Sequence, residues 1–600
     1  MFSNVIECKG ANVTARLKLL ILAILSTTVL MSCAQGSRVL KTPESSTIGN
    51  NLDLNPPKRL NVKKVSENGA LLASMRKAMS VMRGNSNAAQ DSVEFVNSLR
   101  FWANIHGFVG NTEDDPEATD YLQTVVRRSG SCVDSYTEFL GDSTKAIEAC
   151  ANIFKQVDTE YQTNDFTQDM WGTCQHTSYS PPGWKFTPRF LPWHRLYLYY
   201  FEKTLRKTSG DPLLSLPYWD YFDYLTTVQQ DNAEQNGQAQ QNIELPPIVI
   251  SAQDPTPQTN SLYDSLRSFG LNEQVTSIDP SVASAADAFA HTEFVDFSNA
   301  LEDTPHGAMH CATGDGCSIP HMGWVPLAGN DPLFYMHHSN IDRLWQCWLN
   351  EKAQGETITL QWAKDNLGMP ESWYDIGYYF ADENGEKVYK TIADAFSPEV
   401  LSVSYSQEVD CQLDISGSTS TQARKNAQEL ATKLKSVPTE AKVYSSGQVI
   451  LQPYAVDVSL KESSTQSEIT KNLLKEYEGK RGIWLILDDV TVNHNPYFTF
   501  NVYVSNKNQA SKKVSVGVFN FFGFGSNHGH GGSDHKERIA NDNMGRKAYF
   551  ISDDLSELKF NSIKDVQVKI EPQAYTSGGK INQNRINLVT IGSVHVVRSP

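Results

Sequence analysis

Apolar positions change their period along the chain, and the change divides it into parts. Leu19 to Leu30 is a short, nearly unbroken apolar run behind Arg16 and Lys18. From about residue 71 to 395 apolar side chains recur every three or four positions, as in Leu72, Met75, Met79 and Met82, then Val93, Val96, Leu99 and Trp102. That spacing predicts a mainly α body. After about residue 440 the runs turn β-branched and aromatic: Ile483-Trp484-Leu485-Ile486-Leu487, Tyr497 to Val504, Val514 to Val518, Val566 to Ile570 and Val594 to Val597. Turn residues separate them, which predicts an all-β sandwich or barrel of roughly 130 to 160 residues.

Polar stretches join these parts. Residues 34–70, rich in Ser, Asn, Pro and Lys, read as a flexible tether, and Gln229 to Asn242 as a surface loop within the body. Residues 412–440, with Ser416-Gly417-Ser418-Thr419-Ser420, read as a linker. The domain reading is therefore an export signal over 1–33, a tether over 34–70, the α body over 71–411, a linker over 412–440 and a β-domain over 441–600.

The leading segment has the charged, apolar and small-residue order of an export signal, and its apolar run is too short to span a bilayer. It ends in Leu30-Met31-Ser32-Cys33, which resembles the lipobox of bacterial lipoproteins, with Cys33 as the lipidated residue. The other reading is an ordinary cleaved signal. Either way the chain is expected to be exported, to the bacterial cell envelope or the extracellular space. Of nine cysteines, seven lie beyond this segment, an odd number where disulfides form. Cys132 with Cys150 and Cys311 with Cys317 are short-loop candidates. A formal net charge of −16 and the lack of a basic stripe exclude nucleic acid as an expected partner.

The 14 histidines are unevenly placed. His306 and His310, in Thr304-Pro305-His306-Gly307-Ala308-Met309-His310, stand one helical turn apart and can share a metal ion. Alone the pair is ambiguous, because zinc sites and surface pairs use the same spacing. Two flanking segments change its weight: Asp331-Pro332-Leu333-Phe334-Tyr335-Met336-His337-His338-Ser339-Asn340-Ile341-Asp342 and Phe190-Leu191-Pro192-Trp193-His194-Arg195, followed by Glu202. Together with Leu216-Pro217-Tyr218-Trp219-Asp220, they resemble the copper-site signatures of type 3 copper proteins, the tyrosinases, catechol oxidases and haemocyanins, over roughly residues 70 to 400.

The resemblance implies an antiparallel four-helix bundle holding two copper ions. It assigns His306, His310 and His338 to one copper (CuB), and His194, His176 and His106 to the other (CuA). His338 rather than His337 fits the signature without a gap. His176 departs from the family spacing, with 17 residues between it and His194, which an inserted loop over Ser178 to Thr187 accounts for. Cys174-Gln175-His176 resembles the Cys-x-His unit of fungal and molluscan members, which implies a thioether between Cys174 and His176. The implied activity is that of a polyphenol oxidase, turning catechols into o-quinones with dioxygen and needing no organic cofactor.

Asp342 is a candidate hydrogen-bond acceptor for His338, the alternative being a helix-surface ion pair with an arginine. Glu302 is the candidate proton acceptor from the substrate hydroxyl; its alternative is an exposed charge at a helix N-terminus. Gly307, where family members with monophenol hydroxylation often carry Asn, tilts the reading towards diphenols, while Val325 at the gate position suits bulky phenols. His291, His321, His337, His494 and His595 read as structural or exposed. His528, His530 and His535 fall in a Gly-rich loop that is either simply mobile or able to capture copper. The segment from Trp373, with Asp382-Glu383-Asn384-Gly385, and the β-rich end resemble the C-terminal modules of plant polyphenol oxidases. The β-domain is then a shield over the copper pocket or a stabiliser of the body. A haemocyanin-like oxygen carrier would use the same ligands. A zinc hydrolase built on His306 and His310 would leave the other histidines unexplained and lacks a His-Glu-x-x-His motif.

Overall fold

The computed structural model describes residues 58–108, 141–154, 163–175, 188–228, 240–250, 260–402 and, with gaps of which the longest is 523–541, 442–599, plus isolated positions such as Tyr161 and Tyr405. Residues 1–57 and the linker over 412–440 lie outside the described residues. Residues 53–600 form one unit.

The body is helical, as its apolar period predicts. Its main helices are α1 (Val62–Glu67), α2 (Gly69–Asn85), α3 (Leu99–His106), α4 (Phe190–Ser209), α5 (Phe294–Leu301), α6 (Ala308–Thr313) and α7 (Pro332–Ala353). Their ends follow local chemistry. The Ser98 hydroxyl accepts from the Phe101 amide at the start of α3, and Asp331 accepts from the Leu333 amide ahead of Pro332 at the start of α7. Gly210, at φ 70°, ends α4 in the left-handed conformation that glycine adopts without strain. Among the described residues no helix is long and apolar enough to cross a membrane.

Helices α4 and α7 run through the middle of the body and are buried on nearly every side. Their aromatic side chains pack densely; the rings of Phe201 and Tyr335 stack with centroids 3.6 Å apart. Burying these helices also buries their charges, which must then be paired. Arg59 reaches between them, donating to Glu202 of α4 (2.9 and 3.0 Å), and to Asp342 of α7 (2.8 Å) and the Tyr405 hydroxyl (3.1 Å). Arg195 donates to the other Asp342 oxygen and lies 3.9 Å from the Trp345 ring centre.

This network corrects the tether expected over 34–70. Residues 58–70 belong to the body, because Arg59 pairs with the buried Glu202 carboxylate and shares Asp342 with Arg195. The loop expected over Gln229 to Asn242 is also shorter, since Gln240–Ile243 pairs with Leu225–Val228 as an antiparallel hairpin.

The C-terminal region is all-β. Strands β1 (Lys442–Ser445), β2 (Val449–Leu451), β3 (Val456–Val458), β4 (Lys461–Glu462), β5 (Gly482–Val492), β6 (Thr499–Asn506), β7 (Lys513–Phe519), β8 (Asp542–Phe550), β9 (Val566–Gln573) and β10 (Val589–Ser599) form two antiparallel sheets. One runs β7-β6-β9-β3; the other runs β8-β5-β10-β1-β4, with β2 also on β10. Leu485, Leu487 and Val594 of one sheet share a core with Phe500, Val502 and Val568 of the other, so the region is a sandwich.

The sandwich docks on the body through its own backbone and side chains. Tyr575 accepts from the Asp279 amide (3.1 Å), and Ile278 bridges to Thr576. The Asn520 amide donates to the Asp303 carbonyl (2.6 Å), Lys547 pairs with the Asp303 carboxylate (2.7 Å), and the Thr304 hydroxyl donates to the Val518 carbonyl (3.3 Å).

Replacing Arg59 by Ala strands the buried Glu202 carboxylate and leaves Asp342 to Arg195 and Tyr405 alone. The expected loss is about 3–5 kcal/mol of stability, the usual cost of removing one partner from a buried ion pair. Urea unfolding of the full chain measures it, and a loss under about 1 kcal/mol would return residues 58–70 to the tether.

Candidate metal centre

Four elements converge on one buried point. His106 ends α3, His194 lies in the second turn of α4, His306 just precedes α6, His310 lies within α6, and His337 and His338 lie on α7. All six are at most 2 % exposed. They form two groups of potential ligand atoms, each within 4.8 Å of one another: His306, His310, His337 and His338, and His106, Cys174 and His194. The groups adjoin, since the His194 and His338 rings stack with centroids 4.4 Å apart.

The histidine pair four residues apart works as its spacing suggests, with ring centroids 4.7 Å apart. The backbone before it is not helical. Thr304 is extended (φ −139°, ψ 123°), so Glu302 ends the preceding turn. Glu302 is only 8 % exposed, which removes the exposed-charge alternative.

Hydrogen bonds select the tautomer of four rings. Nδ1 of His106 donates to the Val325 carbonyl (2.9 Å), of His194 to the Phe190 carbonyl (2.8 Å), of His306 to the Glu302 carbonyl (2.9 Å) and of His310 to the Met322 carbonyl (2.8 Å). A carbonyl only accepts, so each Nδ1 carries the hydrogen, and each neutral ring keeps its Nε2 lone pair for a metal. His310 Nε2 and His338 Nε2 are 3.2 Å apart. Two nitrogens each ~2 Å from one ion at a near-tetrahedral angle would stand about 3.3 Å apart, so the spacing suits a shared ion. Burial, together with the surrounding imidazoles, holds His338 well below the ordinary imidazole range, and burial alone pushes His337 down to about 3. Neutral imidazoles suit copper, so the donor set fits the two copper ions that the sequence resemblance implies.

His176, and with it the expected thioether to Cys174, lies outside the described residues. Cys174 itself is buried, forms no disulfide, and sits with its Sγ 3.6 Å from His194 Nε2. Cys311 and Cys317 are bonded as expected. Cys150 and Cys347 are also in disulfides, with partners outside the described residues.

Other expectations need correction. Asp342 does not serve His338: both its oxygens are taken by Arg59, Arg195 and Tyr405. It pairs with arginine in the interior, not on the helix surface. His337, expected to be structural or exposed, is buried inside the four-imidazole group, with Nδ1 2.7 Å from the Tyr221 hydroxyl, which removes only the exposed alternative. Its adjacency to His338 on a fully buried helix was the available signal. His291 against Trp484, His321 against Asp264, and His595 between Ser445 and Ser593 are structural as expected. His494, His528, His530 and His535 lie outside the described residues.

Aromatic rings wall the site. Phe190 and Phe334 lie 4.6 and 4.2 Å from His194 and His338 respectively. Phe522, from the β-domain, stacks on His310 at 4.1 Å with ring planes 7° apart and meets His306 edge-on at 5.5 Å. It lies at the end of an otherwise β-rich run, and nothing in the sequence marked it. Gly307 makes that approach possible: a Cβ there would meet Asn520 Oδ1 at 2.7 Å and Phe522 Cβ at 3.2 Å. Val325 is buried, and its carbonyl is what touches the site, through His106.

Residues 152–351 match the family model described as the common central domain of tyrosinase. A tyrosinase from Hahella sp. (strain CCB-MM4) is 29 % identical over 256 residues, covering 39 % of this chain and 48 % of that protein. A chloroplastic polyphenol oxidase from Malus domestica is 26 % identical over 354 residues, covering 53 % and 54 %. The chain thus spans about half the length of these curated relatives. Among solved structures, a latent aurone synthase (polyphenol oxidase) aligns with TM-score 0.50 at 15 % identity, covering 91 % of this chain and 90 % of that one, which shows a shared fold. Through the match to the tyrosinase central domain over residues 152–351 and the paired histidine groups on its helices, the chain is similar to the type 3 copper proteins.

Proposed function

We propose that this chain is a copper-dependent polyphenol oxidase that converts two catechols and one O2 into two o-quinones and two waters. The observation that carries the reading is the set of buried imidazoles whose Nδ1–H bonds turn their Nε2 atoms toward one point. His106, His176 and His194 are the proposed ligands of CuA, and His306, His310 and His338 those of CuB. Two copper ions held there supply the one-electron steps that join catechol oxidation to dioxygen reduction.

The protein's own groups do the rest. Carbonyls hold the rings so that no rearrangement is needed during turnover. Phe190 and Phe334 keep water from the metal side of the pocket. Glu302, buried and joined by its carbonyl to His306, is the proposed acceptor of the substrate hydroxyl proton. Gly307 offers no amide beside that carboxylate, which favours diphenols, and Val325 leaves room for bulky ones. His337, held by Tyr221, is read as a packing residue of the CuB group.

Phe522 supports a latent form. Its ring stacks on His310, and the Asn520 and Lys547 contacts to Asp303 hold the β-domain in place. The proposed activating event is cleavage within 412–440, followed by withdrawal of Phe522. Export with a lipid on Cys33 remains the proposed location. The disulfides support an oxidising compartment.

His338→Phe is expected to reduce bound copper from two ions per chain to one and to abolish catechol oxidation, whereas His337→Phe retains both ions; metal analysis of the purified variants checks this. Phe522→Ala should raise catechol turnover of the uncut chain roughly tenfold, the factor matching about 1.4 kcal/mol of lost aromatic docking. Oxygen uptake with a catechol measures it, before and after limited proteolysis. Absence of turnover in cleaved protein that carries both coppers would end the enzymatic reading.

A further inference from the structure

The two histidine groups share a single backbone support. His310, from the CuB group, donates to the Met322 carbonyl at 2.8 Å; His106, from the CuA group, donates to the Val325 carbonyl at 2.9 Å. These acceptors stand three residues apart in one run of short turns, His321–Gly323 and Val325–Asn330.

That run is wedged between α6 and α3 without slack. On the α6 side, a Cβ on Gly314 would fall 2.2 Å from the Gly323 Cα. On the α3 side, a Cβ on Gly107 would fall 2.2 Å from the Pro326 Cα, and one on Gly329 would fall 2.9 Å from the Ala103 Cα. Backbone meets backbone on both faces, so the thickness of the run sets how far apart the two helices stand.

The wedge is pinned from behind. His321, in the left-handed region at φ 60°, directs Nδ1 to Asp264 Oδ2 at 3.0 Å. The other Asp264 oxygen accepts from the Leu266 amide at 2.8 Å. Arg267 of the same stretch pairs at 2.8 Å with each oxygen of Asp331, the residue that caps α7 and so orients the helix bearing His338. One buried assembly thereby reaches His106, His310 and His338.

We infer that the 321–330 segment is a spacer that sets the separation of the two copper ions, and that His321, through Asp264, is a positioning residue for the pair. The inference rests on the dicopper reading above. A two-electron exchange across two ions depends on their separation, and misplacement by about 1 Å can cost a hundredfold in rate. His321 touches neither ion nor substrate; it acts through Met322 and Val325.

The test compares full-length, copper-loaded protein with its His321→Ala and His321→Asn variants, using metal analysis, electron paramagnetic resonance of the dicupric state, and catechol kinetics after linker cleavage. Close Cu(II) ions pair their spins and give no resonance. His321→Ala should hold two coppers yet give a resonance, with kcat reduced about 10–100-fold, the usual effect of losing an outer partner of a metal ligand, and KM unchanged. His321→Asn should restore silence and turnover, because Asn accepts a positive φ and its amide can donate to Asp264. Loss of both ions together in His321→Ala, reversed by His321→Asn, also fits a shared spacer. Loss of one ion alone overturns it, as does a silent, fully active His321→Ala. A resonance from wild-type protein with both coppers bound would instead strike at the dicopper reading itself.

Discussion

The site depends on one repeated interaction, an imidazole Nδ1–H donated to a main-chain carbonyl. Four of the clustered histidines make it, at 2.8 to 2.9 Å. Each bond decides the tautomer, the direction of the ring and the position of the free lone pair together. Carbonyls do this better than carboxylates would in such a crowded interior, because they bring no further charge to bury. The acceptors belong to backbone that is already held by helix ends and tight turns. Ligand geometry is therefore a property of how the chain packs.

The same economy governs the buried charges. Arg59, Arg195, Glu202 and Asp342 balance one another between α4 and α7, and Arg267 balances Asp331 at the head of α7. These pairs register the two central helices, so the strand of chain carrying Arg59 belongs to the body although its composition resembles a tether. A hydrophobic seam alone would tolerate sliding of one helix along the other; directional, fully desolvated pairs do not. The register matters because His194 and His338 sit on those helices with their rings stacked at 4.4 Å.

The β-domain meets the body at the segment that leads into His306. Asp303 takes both Lys547 and Asn520, Gly307 leaves room for Asn520, and Phe522 comes to rest on His310. A glycine at 307 is thus required by the fit between domains. Read from sequence, it bears on phenol selectivity; in the folded protein it bears equally on whether the pocket can be covered. A side chain added at this position would disturb the fit between the domains.

Several features were decided by the sequence alone. The shift from a helical to a strand period separated the body from the sandwich, and the segments around His194 and His338 named their histidines, because local spacing on a helix dictates which side chains share a face. His306 and His310 were legible for the same reason. Long-range partners were not. Asp342 lies one turn from His338, yet its oxygens went to arginines that arrive from residues 59 and 195. Phe522 is one phenylalanine among 26, distinguished only by where the sandwich docks. The carbonyls of Met322 and Val325 were invisible in principle, since every residue carries the same carbonyl. Side-chain chemistry is written in the sequence; which main-chain atom faces which ring is settled only when distant segments pack together.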